Sequence, residues 1–151
     1  MSRRGRGPLP PVLFLVALLA QAALHVVLPV FRVIPPAWGF AGIAVILIGL
    51  GVMVAADRQF KSAETAVSPH KRPSALVTDG VFRWSRNPMY LGMVVTLMGG
   101  AVAWGTLTPF LVPPALAWIL SQRFIQSEES VLSDTFGPDY ERYQGRVRRW
   151  L

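Results

Sequence analysis

Four long apolar runs alternate with polar stretches along the chain, and they lie near residues 9–30, 37–56, 89–107 and 108–125. Each run is close to the roughly 20 residues that an α-helix needs to cross the hydrocarbon core of a bilayer. The pattern therefore predicts an all-α integral membrane protein with about four transmembrane helices.

A different periodicity follows the last apolar run. Apolar residues recur there at helical spacing opposite polar ones, which is typical of an amphipathic helix. Its apolar face consists of Phe124, Ile125, Val131, Leu132 and Phe136. Gly137 ends this helix and Pro138 begins another. We predict amphipathic cytoplasmic helices over residues 126–151, a cytoplasmic loop over 57–88, and a single domain over 1–151.

The positions of the charges indicate an orientation. The net charge is +7, and 14 of the 15 Lys and Arg residues, with all eight acidic residues, fall on one side of the predicted spans. The positive-inside rule places that side, with both termini, in the cytoplasm, and we expect a bacterial plasma membrane. The basic residues can attract anionic lipids. Aromatic and basic residues do not interleave on a polar surface, so we expect no nucleic-acid partner.

Composition excludes some chemistry. The chain has no cysteine, which rules out disulfides, thiolate metal sites and cysteine nucleophiles, and we expect no metal. With 52% hydrophobic residues and a mean hydropathy of +0.43, the chain is too apolar for an ordinary soluble domain.

The stretch that joins the long polar loop to the third apolar run carries the densest pattern. Arg83 and Arg86 lie three residues apart, just before Asn87 and Pro88. Asn suits a helix N-cap and Pro suits the first helical position, so we predict a helix that begins at Pro88. The positive end of that helix, the two guanidinium groups and the Tyr90 hydroxyl would together suit an anionic group at the membrane surface.

Two motifs resemble the superfamily of isoprenylcysteine carboxyl methyltransferases and phospholipid methyltransferases. The first is Leu76-Val77-Thr78-x-Gly80-x-Phe82-x-x-x-Arg86-Asn87-Pro88-x-Tyr90-x-Gly92. The second is Glu128-Glu129-x-x-Leu132-x-x-x-Phe136-Gly137-x-x-Tyr140-x-x-Tyr143-x-x-x-Val147-x-Arg149. They occur in the family's order with a predicted helical hairpin between them. Asn87 stands where the eukaryotic isoprenylcysteine enzymes have a histidine.

The resemblance implies an S-adenosylmethionine-dependent enzyme that methylates a lipophilic small molecule or a lipid at the cytoplasmic membrane face. It implies catalytic roles for Arg86 and Glu129. The cofactor-binding residues that it implies are Leu76, Val77, Thr78, Gly80, Asn87, Tyr90 and Glu129.

The chemistry of the methyl acceptor stays open from the sequence, as does the oligomeric state. A carboxylate acceptor would need only orientation, for which Arg86 is a natural clamp. A thiol, hydroxyl or ammonium would have to lose a proton, and Glu129 would then be the base. Two other functions remain: a membrane reductase of related fold that binds a nicotinamide cofactor, and a non-enzymatic membrane scaffold protein.

Overall fold

The computed structural model describes residues 9–63 and 74–151, and these form helices and short turns. The helices are α1 (Pro10–Val27), α2 (Gly39–Ser62), α3 (Pro88–Trp104), α4 (Val112–Leu120), α5 (Gln126–Phe136) and α6 (Pro138–Gln144). Three 3-10 turns cover Pro36–Trp38, Gly80–Arg83 and Thr108–Leu111. The all-α prediction is confirmed.

The apolar runs differ in length from one another once folded. In the part of the chain that the structure describes, the helices Pro10–Val27 and Pro36–Ser62 are long and apolar enough to cross a membrane. α3 is shorter, at 17 residues. α2 runs to Ser62 instead of ending near residue 56, and a Lys61 Nζ to Asp57 Oδ2 contact of 2.6 Å supports its last turn.

The fourth apolar run does not form a separate helix. After the 3-10 turn, α4 leads through a π turn at Ser121–Ile125 directly into α5, with right-handed helical backbone at both junctions. The membrane-side segment and the amphipathic helix are therefore one continuous rod. Pro113 and Pro114 lie in its first turn, where a missing N–H costs little.

α2 and α3 pack with their backbones in close approach. A Cβ atom at Gly42 would lie 2.5 Å from the Gly99 carbonyl oxygen, and one at Gly49 would lie 2.7 Å from the Gly92 carbonyl oxygen. Small residues allow such contacts between helices in lipid, so Gly42 and Gly49 let α2 lie directly against α3. At Gly51 a Cβ would meet open space.

Two polar side chains of α1, Gln21 and His25, bond to α3 and to the turn that follows it. Gln21 is fully buried, and its Nε2 donates to the carbonyl oxygens of Leu97 at 2.7 Å and Pro109 at 3.1 Å. His25 Nδ1 lies 2.8 Å from Thr106 Oγ1, and its ring stacks on Trp104. These bonds hold α1 against the turn between α3 and α4.

Two apolar clusters form the interior. The core cluster joins α1, α3 and the α4–α5 rod and consists of Ala17, Tyr90, Met93, Leu97, Val112, Leu116, Leu120 and Ile125. The tyrosine cluster joins the end of α2, the turn before α3 and α6, and consists of Ala56, Phe82, Tyr140 and Tyr143. The candidate site lies where these two clusters meet, at the start of α3.

Candidate functional site

The start of α3 is held by the C-terminal strap, which we define as residues 145–151 after α6. Arg86 N–H donates to the Arg148 carbonyl oxygen at 3.0 Å. Asn87 Nδ2 donates to the Arg149 carbonyl oxygen at 3.1 Å, and Ser85 Oγ donates to the same oxygen at 3.3 Å. The backbone of the strap is thereby fixed directly beside the Arg-Asn-Pro sequence.

The predicted helix start is confirmed, but the predicted capping bond is wrong. α3 begins at Pro88, and Asn87 occupies the N-cap position without any side-chain capping bond. The Asn87 side chain is turned to the strap instead, and Ser85 Oγ accepts the Asn87 N–H at 3.1 Å. The bond from Asn87 Nδ2 to the Arg149 carbonyl oxygen fixes the orientation of the side-chain amide, and in this orientation the amide makes no capping bond.

Arg86 and Glu129, the two residues predicted to be catalytic, form a buried ion pair. Arg86 Nη2 lies 3.3 Å from Glu129 Oε1, and the two side chains are 12% and 11% exposed. Arg86 comes from the turn before α3, and Glu129 comes from α5. Arg83, the other arginine of the pair noted in the sequence, is exposed and lies 3.9 Å from Asp79.

Arg149, a residue of the second motif for which no role was predicted, completes this ion cluster. Its Nε donates to Glu129 Oε1 at 3.1 Å and its Nη2 donates to Glu129 Oε2 at 2.6 Å. This two-pronged contact is the strong geometry for a guanidinium and a carboxylate. Hydrogen bonding to Glu129 raises the pKa of Arg149, so the cluster of Arg86, Glu129 and Arg149 carries a net positive charge.

Arg86 retains unused hydrogen-bonding capacity. Its Nε and Nη1 are buried and have no well-formed hydrogen bond to any of residues 9–63 and 74–151. Burial is the main cause of the raised pKa of Tyr140, and the charge of Glu129 adds to it; the charge of Arg86 and a weak hydrogen bond from its guanidinium act in the opposite direction. A guanidinium whose buried donors are unsatisfied, inside a cluster with surplus positive charge, is suited to bind an anion.

Glu128 has a different environment from that of its neighbour. Tyr90 O–H donates to Glu128 Oε1 at 2.7 Å, and the structure gives this carboxylate no cationic partner among residues 9–63 and 74–151. Burial raises the pKa of Glu128; the bond from Tyr90 opposes that shift and the charge of Glu129 adds to it. Tyr90 belongs to the core cluster, so this pair borders that cluster.

Leu76, Val77 and Thr78 line an open groove of about 290 Å³ together with Gln59, Ser62, Ala63 and Asp79. Gln59 shapes it: its Nε2 donates to the Asp79 carbonyl oxygen at 3.0 Å and its Oε1 accepts the Val81 N–H at 3.2 Å. Gly80 does not line the groove. It turns the chain with φ +56°, and a Cβ there would lie 1.9 Å from Gln59 Nε2.

The predicted residues therefore fall into three adjacent places: the groove, the ion cluster with Asn87, and the Tyr90–Glu128 pair. The tyrosine cluster joins the first two, because Leu76 and Val77 pack against it and Tyr140 belongs to it. Gln59 and Arg149 were missed. Among the described residues, no three His, Asp or Glu side chains come together as a metal site would require.

Comparison with known proteins decides the family. A family model described as phospholipid methyltransferase matches residues 38–139, which include α2 to α5, the groove and both glutamates. The chain belongs to the phospholipid methyltransferase family. The match ends before the C-terminal strap.

Individual relatives agree with this assignment. The chain is 30% identical over 95 residues to a protein-S-isoprenylcysteine O-methyltransferase of Schizosaccharomyces pombe, which is 63% of this chain and 39% of that protein. It is 34% identical over 74 residues to the enzyme of the same name from Tribolium castaneum, or 48% and 26% of the two chains. The chain spans well under half the length of these two relatives.

The fold also has a solved counterpart. The structure of a eukaryotic intramembrane Ras methyltransferase, an isoprenylcysteine carboxyl methyltransferase, matches with a TM-score of 0.66 over 94% of this chain and 49% of that one, at 24% identity. This likeness confirms the predicted membrane-enzyme fold, and the described helices include two that are long enough to span a bilayer.

Proposed function

We propose that the protein transfers a methyl group from S-adenosylmethionine to a lipophilic small molecule or lipid at the cytoplasmic face of the membrane. Membership of the phospholipid methyltransferase family supports methyl transfer. The single structural observation that carries the proposal is the buried ion cluster of Arg86, Glu129 and Arg149 at the start of α3.

The residues present fit this methyl donor. Its amino-acid tail carries one ammonium and one carboxylate, so a binding site needs fixed groups of both signs beside an apolar region. Glu129 supplies the negative charge, and Arg86 supplies buried donors that are unsatisfied in the protein alone. The groove is lined by the apolar Leu76 and Val77 together with the polar Thr78, a mixed lining that suits an adenosine.

When bound, the donor supplies a methyl group on a positively charged sulfur, which needs no metal and no covalent enzyme intermediate. The protein then contributes position and exclusion of water. Arg86 and Glu129 hold the polar tail, Asn87 stays fixed to the strap, and the core cluster provides the apolar side from which a lipophilic acceptor approaches.

The two adjacent glutamates have different roles in this proposal, one in binding the donor and one in accepting a proton. Glu129 lies between two guanidinium groups and is the carboxylate placed to bind the donor's ammonium. Glu128 is buried, has a neutral partner in Tyr90 and has a raised pKa, so it is the better proton acceptor when the methyl acceptor is a thiol, phenol or amine. For a carboxylate acceptor, Arg86 is the orienting group.

Calorimetry on the purified full chain in detergent tests the proposal. We expect S-adenosylmethionine and S-adenosylhomocysteine to bind and NADPH not to bind. Labelled S-adenosylmethionine should then methylate at least one member of a panel of lipophilic thiols, acids, phenols and amines. Binding of NADPH alone would favour the reductase, and binding of none of the three would favour a scaffold.

A further inference from the structure

Arg149 occupies a position that a ligand could take over. Both oxygens of the Glu129 carboxylate accept from Arg149, and that carboxylate is otherwise in contact with Arg86 alone among charged groups of the described chain. A carboxylate 11% exposed must keep a cationic partner, because an unpaired buried charge is costly. A cation that binds to Glu129 therefore meets oxygens already in contact with these two arginines, and replacing one of them keeps the carboxylate paired.

The two arginines differ in how easily they can be replaced. The Arg86 side chain is 12% exposed, whereas that of Arg149 is 40% exposed. Water can solvate the Arg149 guanidinium as it moves away, so its departure costs less than that of Arg86. Arg149 is the exchangeable partner.

The Arg149 side chain can also move without loss of the strap. The strap is attached through the backbone carbonyls of Arg148 and Arg149, which accept from Arg86, Asn87 and Ser85. Trp150 packs against the core cluster. These contacts do not involve the Arg149 guanidinium, so its backbone stays beside the site while the side chain changes partner.

We propose that Arg149 binds the carboxylate of the donor's amino-acid tail and is held by Glu129 until the donor arrives. On binding, Glu129 exchanges the Arg149 guanidinium for the donor's ammonium, and Arg149 takes the carboxylate beside it. The exchange leaves each charge next to one of opposite sign: Glu129 stays beside Arg86 and gains the donor's ammonium, while the donor's carboxylate lies beside Arg149 and the free donors of Arg86. This inference rests on the proposed function and assigns a role to a residue beyond the segment matched by the family model.

The test compares two ligands on matched variants of the full chain in detergent. S-adenosylhomocysteine carries the amino-acid tail, and 5′-methylthioadenosine has the same adenosyl thioether without it. The variants are Arg149→Met and the control Arg148→Met, which removes the same charge from an exposed position in the same strap. Thermal unfolding of each variant checks that it is folded.

We expect Arg149→Met to weaken S-adenosylhomocysteine about tenfold to a hundredfold, the loss expected for one charge-assisted contact, and to leave 5′-methylthioadenosine unchanged. Arg148→Met should change neither ligand, and Arg149→Lys should restore part of the affinity. In the wild type, the S-adenosylhomocysteine affinity should fall with salt more steeply than that of 5′-methylthioadenosine.

Several results would overturn the inference. Unchanged or tighter binding of S-adenosylhomocysteine to Arg149→Met would mean that Arg149 only competes for Glu129. Equal weakening of both ligands would mean a purely structural role. An effect limited to the KM of a carboxylate acceptor would assign Arg149 to the acceptor instead. If the wild type bound neither ligand, the proposed function itself would fail, which is a different result from failure of the variant alone.

Discussion

Tyr90 O–H donates to Glu128 Oε1 at 2.7 Å, while Glu129, the next residue, is held by two guanidinium groups. One helix thus presents adjacent carboxylates to opposite environments. The buried Glu128 has a raised pKa, so the folded protein keeps its proton to higher pH than the unfolded chain does. The free energy of unfolding should therefore decrease as pH rises from about the ordinary glutamate pKa through the raised one.

Glu128→Gln should remove this loss of stability. The amide keeps an oxygen that can accept from Tyr90 but has no charge to bury. We expect the variant to unfold at a higher temperature than the wild type at pH 8, with a smaller difference at pH 4. Thermal unfolding in detergent across this range measures it. A wild type whose stability rises with pH relative to the variant would contradict the assignment.

Arg86→Met and Glu129→Gln should each remove methyl transfer without unfolding the protein. Both change a buried ion pair that is proposed to hold the donor, and the replacements are close to the native side chains in size. We expect binding of S-adenosylhomocysteine to weaken by a factor of about ten or more. Glu128→Gln is the matched control, because it removes a neighbouring carboxylate and should leave that binding nearly unchanged. If both Arg86→Met and Glu129→Gln kept full activity, the proposal that these two residues hold the methyl donor would be wrong.

Gln59→Met should disturb the groove from a position that does not belong to either motif. The substitution keeps the length of the side chain but removes the bonds to the Asp79 carbonyl oxygen and the Val81 N–H. We expect 5′-methylthioadenosine to bind more weakly and stability to fall by about 1–2 kcal/mol. Gln126→Met is the control, since Gln126 is exposed and donates only to Gln122. If Gln59→Met and Gln126→Met changed the affinity for 5′-methylthioadenosine equally, the groove would not be the binding site of this ligand.

Gly42→Ala should destabilise the pair of α2 and α3, whereas Gly51→Ala should not. The new methyl at Gly42 would lie 2.3 Å from the Ala103 nitrogen, and the same methyl at Gly51 would meet open space. Backbone atoms cannot move aside as a flexible side chain can, so we expect a cost of about 1–3 kcal/mol at Gly42. Thermal unfolding of both variants checks this. A similar transition temperature for the two would show that the helices are not in close approach.

The proposed orientation can be tested because the wild-type chain has no cysteine. Two exposed positions can take a cysteine: Ala37→Cys in the turn before α2 and Glu141→Cys on the exposed face of α6. A membrane-impermeant maleimide added to intact cells should label the first and not the second, and should label both after lysis. The reverse pattern would place the candidate site on the outer face.

Local signals in the sequence account for the helices and their approximate ends. Asn87-Pro88 indicated the start of α3, and the spacing of Val131, Leu132 and Phe136 indicated the amphipathic α5. The contacts of the candidate site depend on residues far apart in the chain. Glu129 meets Arg149 across 20 residues through a strap with no periodic pattern, so only the resemblance motif marked Arg149.

The same limit explains the two missed features at the groove and the cap. Gln59 was assigned to a loop because the polar residues after position 56 ended the apolar run, yet α2 continues through it. The Asn87 side chain bonds to the Arg149 carbonyl oxygen of the strap and not to the backbone N–H groups of α3. Both outcomes result from tertiary contacts that local propensity does not contain.

The π turn at Ser121–Ile125 sets the phase of everything that follows it on the rod. Such a turn holds one residue more than a regular helical turn, and each residue advances an α-helix by about 100°. Deletion of one residue there would straighten the hydrogen-bond ladder and swing Glu129 roughly a quarter of a revolution away from Arg86. The one additional residue in this turn therefore sets the direction in which Glu128 and Glu129 face. Removing it should abolish methyl transfer while the helices on either side stay folded.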